Sequence, residues 1–90
     1  MRIAVLDRAT LGADVPLSPL EALGECTVYD TTSPTNVGER IADVDVIVIN
    51  KVKIGEAELA YAKCLRLICI TATGYDNVDL SACRSRGIAV

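Results

Sequence analysis

Histidine, tryptophan and phenylalanine are missing altogether from these 90 residues. Without an imidazole, no side chain has an ordinary pKa near neutrality, which removes a histidine general acid or base and a histidine-bearing metal centre. Three tyrosines are the only aromatic residues. The core therefore has to be built from Val, Ile, Leu and Ala, the usual filling of a parallel sheet covered by helices. There is no cluster of Lys or Arg, and the net charge is −3. That removes the electrostatic footprint of a nucleic-acid binder and leaves an acidic excess suited to solubility.

No apolar run approaches the roughly 20 residues that a membrane-crossing helix needs. Met1 and Arg2 lead straight into four apolar residues, so the expectation is a chain with no leader and no membrane partner, in a reducing cytoplasm. Cys26, Cys64, Cys69 and Cys83 form no C-x-x-C pair. Set among apolar neighbours, they are expected to act as small buried hydrophobes rather than as metal ligands.

What is present is a regular alternation of strand and helix signals, the pattern of repeated βα units on a parallel sheet. Largely apolar stretches at 3–6, 27–29, 44–49, 65–70 and 88–90 predict five strands, the second more polar and so at a sheet edge. Ser18, Pro19 and Glu21 read as a capping box opening a short helix. Pro34 with Ser33 or Thr35 opens a second helix whose Val37 and Ile41 face inward. A third follows Gly55, from about 56 to 63. A fourth runs from Leu80 to Arg86, with Asp79 as its N-cap, Val78 and Cys83 as a hydrophobic staple and Gly87 as its C′ residue. Such units imply strand order 2-1-3-4-5 with helices on both faces and a switch point between the first and third strands. An apolar strand stopping at Val90 reads as an interruption of a larger domain.

The loop Thr71-Ala72-Thr73-Gly74-Tyr75-Asp76-Asn77-Val78-Asp79 leaves the carboxyl end of the fourth strand, where open α/β sheets place ligands. Gly74 permits a positive φ and close approach, and backbone N–H groups there suit a small carboxylate. Asp76 reads as a loop-bracing acceptor and Asp79 as a cap, so neither is assigned acid/base work. By itself this pattern also fits a plain strand-to-helix turn. Lys51 and Lys53, after the third strand, suit either an anion-attracting rim or a solvated one. Asp7 and Asn50 occupy strand ends where receiver domains of two-component signalling carry acidic residues, but Asn50 stands in the place of the phosphorylated Asp.

Three stretches together, Val48-Ile49-Asn50-Lys51-Val52, Leu67 to Leu80 and Cys83-Arg84-Ser85-Arg86-Gly87-Ile88-Ala89-Val90, resemble the amino-terminal part of the D-isomer-specific 2-hydroxyacid dehydrogenases, above all the hydroxypyruvate reductase and glycerate dehydrogenase branch. The resemblance implies a flavodoxin-like fold. Residues 1–90 would form part of the substrate-binding (catalytic) domain, with the NAD-binding Rossmann domain absent from this chain. It implies that backbone amides at Thr73 and Gly74 hold the substrate carboxylate, and that Asn50, Lys51 and Val52 line the same cleft. The family's catalytic Arg, His and Glu have no counterparts here, and no G-x-G-x-x-G is present. The expected parent is a homodimeric enzyme that reduces a short 2-oxoacid, such as hydroxypyruvate or glyoxylate, to the D-2-hydroxyacid with NAD(H) or NADP(H). The chain alone is expected to bind no cofactor and to be inactive. Two other classes stay open at this stage: a stand-alone binding or oligomerisation module, and a signalling receiver.

Overall fold

The computed structural model describes residues 1–11, 16–71 and 77–90. Four parallel strands, β1 (Arg2–Val5), β2 (Glu25–Val28), β3 (Val46–Ile49) and β4 (Leu67–Ile70), form one sheet in the order β2-β1-β3-β4. The register pairs Ile3 with Cys26 on one side and Val46 on the other, and Ile47 with Ile68. The expected fifth strand is reduced to a single parallel bridge between Ala89 and Leu67, held by two backbone hydrogen bonds of 2.9 Å on the outer side of β4. The fifth position of the expected order is therefore the one taken.

Both faces of the sheet are buried, which explains why its central strands show unbroken apolar runs rather than alternation. Ala4, Leu6, Ile47, Ile49 and Ile68 point to one side. There they pack under α2 (Val37–Ile41), α3 (Glu56–Leu59) and α4 (Leu80–Ser85) through Val37, Ile41, Leu59, Ala82 and Cys83. Ile3, Val5, Val46 and Val48 point to the other side, where Leu20 of α1 (Ser18–Glu21) and Leu11 cover them. Each of these fully buried branched side chains contributes roughly 1.5–3 kcal/mol through removal from water. β2 is exposed along most of its length and forms the polar edge.

Helix ends follow local chemistry in most cases. Asp79 accepts from the Ala82 N–H at 3.0 Å and caps α4, while Val78 and Cys83 are buried together as the staple. Gly87 takes φ +72° just past the end of that helix. The Glu58 carboxylate reaches back to the Gly55 N–H at 2.7 Å and starts α3, which ends four residues earlier than its pattern suggests. The capping box at Ser18 does not form. Leu17 is already in the helical region, and its carbonyl takes the Leu20 and Glu21 N–H groups, so Ser18 lies inside the helix, where its hydroxyl caps nothing. Cys64 is exposed in a bend and Cys26 and Cys69 are half-buried; only Cys83 lies fully in the core. Burial pushes the Cys69 and Cys83 thiols up, with Asp79 adding to the effect at Cys83 and Arg86 opposing it. Among the described residues, no helix is long and apolar enough to cross a membrane.

Candidate functional site

The carboxyl ends of β1, β3 and β4 converge on one edge of the sheet, and a short hydrogen-bonded frame ties them together. Asp7, which follows β1, is 4% exposed, although a carboxylate is costly to bury unpaired. Its two oxygens accept from the Asn50 N–H at 2.9 and 3.1 Å, and one of them also accepts from the Lys51 N–H at 2.6 Å. These amides, at the end of β3 beside the switch point, are the groups that would meet an incoming anion in a sheet of this topology. Here the protein's own carboxylate meets them.

The Asn50 side chain turns toward the loop after β1, where its amide donates to the Thr10 Oγ1 at 2.9 Å and to the Thr10 carbonyl at 3.3 Å. Thr10 in turn donates to the Asp7 carbonyl at 2.8 Å within the 3-10 turn Arg8–Thr10. On the other side, Asn77 sends its side-chain amide to the carbonyls of Val52 at 2.8 Å and Asn50 at 3.3 Å. Its backbone carbonyl accepts from the Ile54 N–H at 2.8 Å. Because two carbonyls face this side chain, its NH2 end must point at them.

Of the residues expected to touch substrate, Asn50, Lys51 and Val52 come together on this frame. Thr73 and Gly74 lie outside the described residues. Asn50 is engaged with Thr10, and Val52 is half-buried against the core. Lys51 is exposed, and its ammonium makes no ion pair with any described residue. Beside it opens a groove of about 570 Å³, whose walls include Asp7, Thr10, Thr32, Val37, Lys51 and Val52. A shallower hollow of about 400 Å³, bordered by Lys53, Gly55, Asn77 and Asp79, lies between the segments after β3 and β4. A third hollow runs along β2 and α2. Its Arg40 donates to the Thr31 carbonyl and the Thr32 Oγ1 and lies 4.1 Å from the centre of the Tyr29 ring.

Asp7, Thr10 and Asn77 are the members of this frame that the sequence does not reveal by local pattern. An Asp closing a strand carries no local mark of the partner it will find 43 residues later. The receiver-type reading loses its ground as well, since Asp7 is spent on backbone amides. Among the described residues, no group of three His, Cys, Asp or Glu is placed to hold a metal ion.

The family model of the D-isomer specific 2-hydroxyacid dehydrogenase catalytic domain matches residues 3–90. A hydroxypyruvate reductase from Blautia hydrogenotrophica is 39% identical over the whole chain. A glycerate dehydrogenase from Methylorubrum extorquens is 33% identical over 99% of it. The chain spans 29% and 28% of the length of these two relatives. The NAD+-bound 3-phosphoglycerate dehydrogenase of Entamoeba histolytica superposes with a TM-score of 0.80 at 28% identity, over 98% of this chain and 31% of that one. The chain belongs to the D-isomer-specific 2-hydroxyacid dehydrogenases, and residues 3–90 correspond to part of their catalytic domain.

Proposed function

We propose that these residues form part of the substrate-binding domain of an enzyme that reduces a short 2-oxoacid of the hydroxypyruvate or glyoxylate kind to the D-2-hydroxyacid, with NAD(P)H as reductant. The observation that carries this reading is Lys51: an exposed ammonium at the mouth of the strand ends, without an ion-pair partner among the described residues, on a backbone gripped from both neighbouring loops. A 2-oxoacid is an anion at neutral pH. A cation at the rim raises its local concentration and draws its carboxylate end inward. The amides of Asn50 and Lys51 are occupied by Asp7, so the carboxylate needs other donors. Backbone N–H groups at Thr73 and Gly74, one strand over, are the proposed ones, with Asn50 and Val52 supporting the Lys51 wall.

The residues of this chain do not fit the dinucleotide. It lacks the glycine fingerprint, and β1 runs into a 3-10 turn rather than into a helix whose amides would receive a pyrophosphate. The Rossmann domain therefore belongs to another part of the parent protein. So does the proton donor, since the chain has no imidazole. The 90 residues alone are inactive on this reading, and the parent is a cytoplasmic homodimer, for which light scattering is the direct check.

The loop's role is tested by Gly74→Val in the parent enzyme. A branched side chain there blocks close approach, and losing a charge-assisted hydrogen bond raises KM for hydroxypyruvate by about 10- to 100-fold while NADH affinity is retained. An unchanged KM removes the loop from the substrate site.

A further inference from the structure

We infer that Asn77 is a positioning residue that acts through Lys51, as one jaw of a clamp whose other jaw is Asp7. This rests on the reading of Lys51 as a substrate contact. The segment from Asn50 to Val52 is held through its N–H groups on one side and its carbonyls on the other. Asp7 takes the Asn50 and Lys51 amides, and the Asn77 side chain takes the Asn50 and Val52 carbonyls. The Lys51 peptide sits between the two grips, so the origin of its long side chain is fixed even though the ammonium is solvated. A cation on a flexible four-carbon stem orients an anion only as well as its Cα is placed.

The two jaws differ in what their removal does. Asp7 is buried, and its loss strands two amides at the switch point, which threatens the fold itself. The Asn77 side chain is half-buried at the rim. The backbone bridge beside it, Asn77 carbonyl to Ile54 N–H and Ile54 carbonyl to Asp79 N–H, does not involve that side chain. Asn77→Ala thus loosens the Lys51 segment and leaves the loop-to-loop bridge standing. Asn77→Asp, of equal size but with no N–H to give and a charge that repels both carbonyls, is the second variant.

The test is a double-mutant cycle in the parent enzyme that contains these residues, with hydroxypyruvate as the varied substrate. Lys51→Ala is expected to raise KM. Asn77→Ala and Asn77→Asp are expected to raise KM about fivefold with kcat and NADH affinity held, and to add almost nothing once Lys51 is already Ala. If Lys51→Ala raises KM but either Asn77 variant leaves it unchanged, or raises it equally in both backgrounds, the clamp is refuted and the substrate reading survives. If Lys51→Ala itself leaves KM unchanged, the substrate role of Lys51 falls and the clamp falls with it.

Discussion

Gly38→Ala should destabilise this chain, although the same change in most helices stabilises. Gly38 lies in the first turn of α2 and is buried against Tyr61, which follows α3. A Cβ at position 38 would fall 2.7 Å from both Cγ and Cε2 of Tyr61 and closer still to Cδ2. Cγ is the anchored end of the ring, so a small rotation about the ring axis gives no relief. Either Tyr61 changes its χ1 well or α2 and α3 move apart. Overpacking of this kind costs about 1–3 kcal/mol, against a gain of about 0.5–1 kcal/mol from replacing a helical glycine. The ring is 59% exposed and has somewhere to go, which favours the lower half of that range and a net loss near 1 kcal/mol. In a domain of this size that is a fall in Tm of about 4–8 °C.

The sign reverses when the obstacle is removed. With Tyr61→Ala in place the new methyl has room, and Gly38→Ala then raises Tm by a few degrees through the helix gain alone. Thermal melts of the four chains, followed by far-UV circular dichroism, give the coupling directly. An increase in Tm for Gly38→Ala of the same size with and without Tyr61 would refute the close approach of α2 and α3. That approach matters beyond stability, because α3 begins immediately after the segment that carries Lys51, and its packing on α2 sets where that segment lies.

Gly87 offers the opposite case, since a Cβ there meets nothing within 4 Å yet φ is +72°. Gly87→Ala should therefore lose about 1–2 kcal/mol in chemical denaturation through backbone strain alone, and Gly87→Asn should recover much of it; equal losses for the two would deny the left-handed conformation. The cysteines should separate by exposure. Iodoacetamide is expected to modify Cys64 fastest in the native chain, the half-buried Cys69 more slowly, and Cys83 only after urea is added, as peptide mapping would show. Because burial raises the Cys69 and Cys83 thiols above the ordinary 9.0, the folded state holds their protons more tightly than the unfolded one. Stability should accordingly be level below that pH and fall as pH climbs past it, and a rise there would contradict their burial.

The sheet was legible because its signal is local and redundant. The run at 46–49 is apolar at every position, and a short branched run of that kind suits only a strand covered on two faces, as Ile47 and Ile49 on one side and Val46 and Val48 on the other turn out to be. Asp79 and Gly87 were legible for the same reason, since a cap and a C′ glycine act within one turn of the residue that reveals them. The Ser18 box failed because a cap needs its own backbone outside the helix, and the chain enters the helical region one residue early at Leu17. The exposure of Cys64 beside buried Leu65 was hidden because a bend has no period from which inward and outward can be read. The frame around Lys51 was hidden for a different reason. Asp7 reaches Asn50 across 43 residues and Asn77 reaches Val52 across 25, pairings that exist only once β1, β3 and β4 lie side by side.

That frame bears on where an anion can sit. In a sheet wound β2-β1-β3-β4 the crevice between β1 and β3 is the usual ligand position, because the connections leave it toward opposite faces. Asp7 makes it unsuited to an anion in two ways. It consumes the amides that would receive an anion, and it places a carboxylate where a second one would be repelled at short range. The 2-oxoacid of the proposed reaction would therefore be turned away from the Asp7 carboxylate and toward β4, past the exposed Lys51. On the proposed reading, Asp7 thus does for the substrate what a glycine-rich turn does for a nucleotide, but by exclusion: one buried charge shifts the binding position by a strand, onto the loop that begins at Thr71.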